Sequence, residues 1–123
     1  MDREAVSRWV EEYERAWRED DDSAVERLFT ETAAYRRSPY ESPEIGHAGI
    51  RGFWLSDSGR TFSMDAAIVA VEDDIAVVRV DVVYISPTQR EYRDLWILRF
   101  AADGRVCEFE EWAYWPGKPY TAE

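Results

Sequence analysis

Two acidic side chains lie among aromatic and apolar residues on predicted strand faces. Between Tyr92 and Phe100, alternate residues share one face of a strand, and Asp94 is the only charge on that aromatic face. In the last predicted strand, Glu111 shares a face with Phe109 and other uncharged residues. A carboxylate on an apolar face must find a partner or hold a proton, and a raised pKa suits a general acid or base. Alternatively, a β-bulge near Glu110 would turn Glu111 to solvent, and Asp94 would lie at a strand end that solvent reaches.

An arginine and an aspartate form a second candidate group. Arg79 and Asp81 flank Val80, so both side chains project from one face of a predicted strand and are close enough to pair. From the residues alone, the pair is an ordinary ion pair on a solvent-facing or dimer-facing sheet surface.

The remaining reactive side chains are expected mainly in structural or ligand-anchoring roles. Arg37 could anchor an anionic ligand group or neutralise Asp94 or Glu111 in a structural pair. His47, the lone histidine, is expected at the start of a helix, and Cys107, the lone cysteine, is expected to pack as a small apolar residue. Because these two lie sixty residues apart, they lack the spacing of metal ligands, and no metal site is predicted.

Aromatic residues make up 15% of the chain and include six tryptophans, more than a small core requires. Most are expected in the core, and part of the remaining area is expected to line a pocket for an apolar molecule. The predicted lining combines these rings with two charged side chains and comprises Tyr13, Trp17, Tyr35, Arg37, Trp54, Asp94, Trp96 and Phe109.

The elements that must position these residues fall into an N-terminal helical part and a C-terminal β part. Apolar residues every three or four positions predict a helix that begins after Asp2 and ends at Asp20–Asp22. Ser23–Glu26 has the pattern of a capping box that opens a short second helix with Val25, Leu28 and Phe29 on its inward side. A strand over Thr32–Arg37 and a weak third helix after Gly46 follow.

From residue 61 onward the sequence is rich in β-branched and aromatic residues. The predicted strands cover Thr61–Val71, Ile75–Ile85, Arg90–Phe100 and Arg105–Trp112. Short turn-like segments separate these strands, which predicts hairpins and hence an antiparallel meander. Helices first and strands later predict an α+β fold in one domain over residues 1–123, with the helices packed on one face of a curved sheet.

Length and charge exclude several classes of protein. The chain has 123 residues, 26 of them acidic and 15 basic. Its net charge of -11 repels phosphate backbones and anionic membranes, so neither a nucleic-acid nor a membrane partner is predicted. A single cysteine cannot form an internal disulfide, which fits a reducing compartment. The sequence shows no secretory signal and no membrane-spanning segment, so a cytoplasmic location is expected.

Five short motifs follow one another along nearly the whole chain. They are Tyr13-x-x-Ala16-Trp17, Leu28-Phe29-x-x-x-Ala33, Gly46-x-x-Gly49-Ile50-x-x-Phe53-Trp54, Trp96-x-x-x-Phe100 and Asp103-Gly104-Arg105-Val106. Their order and spacing resemble those of the nuclear-transport-factor-2-like superfamily and, within it, the SnoaL-like proteins. The resemblance implies a cone of the cystatin-like type, in which a bent sheet wraps around helices and leaves an apolar pocket. It also implies a homodimer formed through the sheet.

Members of this superfamily include isomerases, dehydratases, cyclases, epoxide hydrolases and proteins without catalysis, so the fold does not select an activity. Arg79-x-Asp81 resembles the Arg-x-Asp segment of limonene-epoxide-hydrolase-like members, in which the Asp activates water and the Arg bridges to a second acid on the last strand. The resemblance implies Asp81 as base, Arg79 as bridge and Glu111 as proton donor. This chain departs from that pattern in two places: the second acid is Glu rather than Asp, and Tyr35-Arg36-Arg37 lacks the amide of the family's Tyr-x-Asn.

Ketosteroid-isomerase-like members offer a second comparison. Tyr13 falls where their oxyanion-donating Tyr lies, late in the first helix, whereas Arg37 occupies the position of their general-base Asp. Because arginine does not accept a proton at working pH, the resemblance disfavours that mechanism here.

Two functions are consistent with the sequence. The first is a cofactor-free acid–base enzyme, a hydrolase, cyclase or isomerase, that acts on a small, mostly apolar molecule through Arg79, Asp81 and Glu111. The second is a non-catalytic, dimeric ligand-binding or interaction module, in which the acidic pairs are ion pairs of the sheet and the aromatic residues are core.

Overall fold

The computed structural model describes residues 1–54, 61–86 and 89–117 of the chain. The helices are α1 (Arg3–Glu19), α2 (Val25–Leu28) and α3 (Gly46–Arg51), with a short 3-10 turn at Asp22–Ala24. The strands are β1 (Phe29–Arg36), β2 (Glu44–Ile45), β3 (Thr61–Glu72), β4 (Ile75–Ser86), β5 (Arg90–Phe100) and β6 (Val106–Tyr114). Among the described residues, no helix is long and apolar enough to cross a membrane.

The first helix begins and ends at aspartates, as its sequence pattern predicts. At the N-terminus, an oxygen of the Asp2 side chain accepts the backbone N–H of Ala5 at 2.8 Å, which satisfies a donor that has no partner within the helix. At the C-terminus, Asp20 has a left-handed backbone with φ of 53°, and its N–H donates to a carbonyl of the last turn. The buried side of α1 carries Trp9 and Tyr13, so the helix presents an aromatic face to the sheet.

The second helix is shorter than the capping-box pattern predicts. It covers Val25–Leu28, and no side-chain hydrogen bond caps it, because the Ser23 hydroxyl donates to Asp21 instead. Phe29, expected on the helix, has extended dihedral angles and begins β1, where it pairs with Val106 of β6. Pairing with β6 therefore ends the helix earlier than the local sequence pattern indicates.

The strands form one six-stranded sheet in the order β2-β1-β6-β5-β4-β3. Strands β3 to β6 are antiparallel neighbours, as predicted, while β1 runs parallel to β6. The register places Val80 and Ala113 on either side of Asp94, and it places Trp96 opposite Glu111. These side chains share the face of the sheet that packs against α1, which we call the inner face; the opposite side is the outer face.

The core lies between α1 and the inner face. The ring centroids of Tyr13 and Trp96 are 4.7 Å apart, and the Trp9 indole donates to the Leu28 carbonyl at 2.9 Å. The first contact joins the helix to the sheet, and the second joins it to α2. Helices packed on one side of a curled, mostly antiparallel sheet confirm the predicted α+β cone.

The third helix brings two more aromatic side chains to this core. It begins at Gly46, whose φ of 77° disfavours other residues, and a Cβ there would lie 3.1 Å from the Glu31 carbonyl oxygen. Beyond the helix, the N–H of Trp54 donates to the Ile50 carbonyl at 2.9 Å. This extra turn places Phe53 and Trp54 against the aromatic residues of α1 and β1.

Candidate active site

A cavity of about 250 Å³ opens between the helices and the inner face of the sheet. Its wall is mostly aromatic and also carries two acids and two arginines; the lining residues are Tyr13, Trp17, Tyr35, Arg37, Phe53, Trp54, Val82, Tyr84, Arg90, Tyr92, Asp94, Trp96, Glu111 and Ala113. They include every residue of the predicted lining except Phe109. At about 30 Å³ per water molecule, the cavity has room for about eight waters or one small organic molecule.

Two carboxyl groups meet on the cavity wall. Asp94 of β5 and Glu111 of β6 are diagonal neighbours, since Asp94 lies opposite Ala113 and Glu111 lies opposite Trp96. Among the described residues Asp94 is the one charged residue that is buried, with 7% of its surface exposed. This burial, together with a hydrogen bond to the Glu111 carboxyl and the charge of that group, raises the pKa of Asp94 to about 9. Asp94 therefore holds its proton at neutral pH and can donate it.

Three polar atoms of the cavity residues are buried without a hydrogen bond of good geometry to any described residue. They are Asp94 Oδ1 and the indole Nε1 atoms of Trp54 and Trp96. Such atoms are uncommon, because each one that stays unpaired lowers the free energy of unfolding by about 1–3 kcal/mol. The Trp96 indole lies beside the Asp94 carboxyl and the Trp54 indole beside the Tyr13 hydroxyl, so all three atoms cluster on the cavity wall.

Two tyrosine hydroxyls lie near the acids. The Oη atoms of Tyr13 and Tyr35 are 2.9 Å apart and form a buried hydrogen bond. Burial raises the pKa of both phenols well above the ordinary value, and the nearby charge of Glu111 raises it further, so both hydroxyls stay neutral donors. Phe109 stacks on Tyr35 with ring centroids 4.2 Å apart. It lies behind the tyrosines and does not line the cavity, which corrects its predicted place in the lining.

The structural pair expected for Arg37 forms with a different acid. Its Nε and Nη2 atoms donate to Glu41 Oε1 at 3.1 and 2.9 Å, and its guanidinium carbon lies 4.5 Å from the centroid of the Phe53 ring. Arg37 therefore lines the cavity as predicted, but its charge is paired with Glu41 rather than with Asp94 or Glu111.

The structure does not bring Arg79 and Asp81 to Glu111. Val80 points into the core and is fully buried, so the residues on either side of it project from the outer face of β4. There Arg79 Nε lies 3.4 Å from Asp81 Oδ1, and the two side chains are 53% and 40% exposed. Glu111 lines the cavity on the other side of the sheet. The predicted catalytic group is thus corrected to an outer-face ion pair and a separate cavity acid.

His47 and Cys107 lie outside the cavity lining. His47 Nε2 donates to the Phe29 carbonyl at 2.8 Å, which fastens α3 to the start of β1. Cys107 is partly buried, and its thiol makes a weak 3.5 Å contact with the Arg99 carbonyl. Within residues 1–54, 61–86 and 89–117, no group of three or more His, Cys, Asp or Glu residues is placed to hold a metal ion.

Arg90 is a cavity residue that sequence reasoning missed. It is the first residue of β5 and lines the cavity together with Tyr92, Asp94 and Trp96. The strand alternation used to single out Asp94 also places Arg90 on the same face, so the signal was present in the sequence.

Three solved structures share this fold at low sequence identity. SalBIII, an epoxide hydrolase/cyclase-like enzyme with a role in pyran ring formation in the polyether salinomycin, is 17% identical, has a TM-score of 0.71 and matches over 88% of this chain and 89% of its own. An LEH-like epoxide hydrolase of M. tuberculosis is 15% identical, with a TM-score of 0.66 over 87% of this chain and 80% of its own. An NTF-2-like protein of unknown function from Burkholderia xenovorans LB400 is 15% identical, with a TM-score of 0.72 over 98% of this chain and 88% of its own.

Sequence comparison assigns the family. A search of the curated proteins found no match. The family model described as the SnoaL-like domain, in contrast, matches residues 10–109, which is most of the chain. The chain therefore belongs to the SnoaL-like domain family.

Proposed function

We propose that this protein is an acid–base enzyme that acts without a cofactor on a small, mostly apolar molecule. The observation that carries the proposal is the pair of adjacent carboxyls, Asp94 and Glu111, on the wall of an aromatic cavity. Side chains that differ in protonation at one pH can give and take protons in a single reaction. Asp94 is the acid of the pair, because burial keeps it protonated, and Glu111 is the base.

The two carboxyls supply both proton transfers of a C–O bond opening. As the C–O bond breaks, its electron pair passes to the oxygen, which takes the proton of Asp94. The attacking oxygen of a water or hydroxyl forms the new bond to carbon and loses its proton to Glu111. The hydrogen bond between the carboxyls then returns this proton from Glu111 to Asp94 and restores the starting state.

Epoxides are the substrate class that this chemistry suits best. Two of the structurally similar proteins are an epoxide hydrolase/cyclase-like enzyme and an LEH-like epoxide hydrolase, which supports ring opening by water or by a hydroxyl of the substrate. The Tyr13 and Tyr35 hydroxyls, neutral and close to the acids, would position the attacking oxygen. The Arg79–Asp81 pair has no part in this scheme, because it lies on the outer face.

The proposal includes a homodimer that forms through the outer face, in a protein that works in the cytoplasm. Leu95 and Trp112 lie opposite each other in the β5–β6 register and are 39% and 37% exposed. They form an apolar strip that a second copy of the chain would cover.

The test is turnover of a small epoxide panel, such as styrene oxide and cyclohexene oxide, by Asp94→Asn and Glu111→Gln. Each variant keeps the shape of the side chain but removes one proton transfer, so turnover should fall about 10²- to 10⁴-fold. Circular dichroism should show a folded protein in both variants. Asp81→Asn is the matched control, because it changes an exposed carboxylate on the outer face; its turnover should stay within about twofold of the wild type.

Wild-type turnover in both cavity variants would contradict the proposal. An inactive wild type that binds the epoxides would contradict it as well, and would favour the ligand-binding module of the same fold.

A further inference from the structure

One arginine on the cavity wall has no side-chain partner among the described residues. The Arg90 side chain forms no hydrogen bond or ion pair with any described residue, whereas the side chain of Arg37, the other arginine of the lining, is held by Glu41. Acidic residues outnumber basic ones 26 to 15 in this chain, so a guanidinium that lines a cavity without a carboxylate beside it stands out. The planar fork of arginine matches the two oxygens of a carboxylate.

Arg90 is the exposed end of the row of β5 residues that line the cavity. Along the inner face of β5, Arg90 is exposed, Tyr92 is half-buried, and Asp94 and Trp96 are buried. Arg90 lies four positions before Asp94 in the strand, which places their Cα atoms about 13 Å apart. The aromatic ring of Tyr92 lies between them in sequence and also lines the cavity. A molecule that spans this distance meets a cation at the mouth, a ring in the middle and the acid pair at the floor.

Charge fixes the direction in which an anionic molecule would bind. The negative charge that Glu111 exerts on Asp94 would also repel a carboxylate at the floor, and the net charge of -11 disfavours any anion that lacks a local cation. A carboxylate would therefore lie against Arg90, which leaves the uncharged, reacting end of the molecule at Asp94 and Glu111.

We infer that the substrate carries a carboxylate, bound by Arg90 at the cavity mouth, on an apolar body whose other end reaches the acid pair. This inference rests on the proposed function, since the acid pair defines the reacting end. It narrows the substrate from a small apolar molecule to an amphiphilic acid.

The test compares 3-phenylpropionate with 3-phenylpropionamide, a neutral molecule of nearly the same shape. Binding is read from the fluorescence of the tryptophans, three of which line the cavity. A charge-assisted pair with Arg90 should make the wild type bind the carboxylate about tenfold more tightly than the amide. Arg90→Gln should remove this preference, and Arg90→Lys should keep part of it.

Arg93→Gln is the matched control. Arg93 belongs to the same strand and is exposed, but it lies on the outer face, opposite Asp81 in the register. The variant loses the same charge from the same strand, so a long-range electrostatic effect would lower carboxylate affinity as much as Arg90→Gln does. The inference requires that Arg93→Gln keep the wild-type preference.

Equal affinity of the wild type for acid and amide would overturn the inference, as would an unchanged preference in Arg90→Gln. Because the readout is binding, it separates the two proposals. A preference for the carboxylate in a protein without epoxide turnover would overturn the proposed function and leave the anion site. Turnover without the preference would overturn the anion site alone.

Discussion

Two pairs of charged or ionisable side chains lie on opposite faces of the same sheet and behave differently. Arg79 and Asp81 project from the outer face of β4, where solvent reaches about half of each side chain. Asp94 and Glu111 line the cavity on the inner face of β5 and β6. Burial raises the pKa of Asp94, whereas the outer pair has the geometry of an ordinary surface ion pair.

The difference shows that strand phase, which sets the face of the sheet that a side chain occupies, decides which acid lines the cavity. Val80 lies opposite Asp94 in the register, so Asp81 is only one position away from the inner face. A shift of β4 by one residue would exchange the faces and bring Asp81 towards the cavity in place of Val80. The choice of acids in the proposed function therefore depends on the register of β4.

The largest predicted effect is on stability, and it tests which residues of β5 face the core. Two leucines of this strand form a matched pair. Leu98 is fully buried on the inner face, and Leu95 is 39% exposed on the outer face. Leu98→Ala should lower the free energy of unfolding by about 2–5 kcal/mol, because it leaves a cavity in the core. Leu95→Ala should lower it by less than about 1 kcal/mol at a protein concentration that keeps the chain monomeric, because no second copy then covers the outer face. Urea denaturation of both variants measures the difference.

Equal losses of stability in the two leucine variants would contradict the described phase of β5. The assignment of Asp94 to the inner face would then be lost as well, since it has the same parity as Leu98.

Most of the fold could be predicted because its signals are local. The spacing of apolar residues in α1 and the β-rich segments after residue 61 each predict an element from neighbouring residues, and the observed bounds agree closely. The second helix was overpredicted, because Phe29 is drawn into β1 by its pairing with Val106, a contact far away in sequence. Local patterns do not contain such a contact.

The site could be predicted in part, for a related reason. Alternation places Asp94 among aromatic residues within one strand, and the structure puts it on the cavity wall with Glu111. Alternation also places Arg79 and Asp81 together, but on a strand whose two faces are both rich in valine, so it does not reveal which face is buried. The pairing of Arg37 with Glu41 depends on the loop that follows β1, which strand periodicity does not describe.

An intermediate effect is expected in the pH dependence of stability. The folded protein keeps the Asp94 proton up to pH 9 or so, whereas the unfolded chain releases it near the ordinary value of 3.8. Between these values the folded state binds more protons, so the contribution of Asp94 to stability falls as pH rises, by up to about 1.4 kcal/mol per pH unit. Asp94→Asn removes this contribution. Its free energy of unfolding should therefore rise relative to that of the wild type from pH 5 to pH 8, as measured by urea denaturation at each pH.

Asp81→Asn is the control for this measurement, because the same change on the outer face should keep a nearly constant difference from the wild type over the same pH range. A constant difference between Asp94→Asn and the wild type would show that Asp94 is ionised in the folded protein, and it would remove the acid from the proposed mechanism.

The smallest effect is expected for the outer pair itself. Its 3.4 Å contact lies between half-exposed side chains, so solvent screens the attraction and both side chains lose conformational freedom when they pair. A double-mutant cycle of Arg79→Gln and Asp81→Asn should give a coupling of about 0.2–1 kcal/mol, which falls further at 1 M salt because the screening length is then about 3 Å. A coupling well above this range that persists at high salt would mean that the pair is shielded from solvent, and the contrast between the two faces would no longer hold.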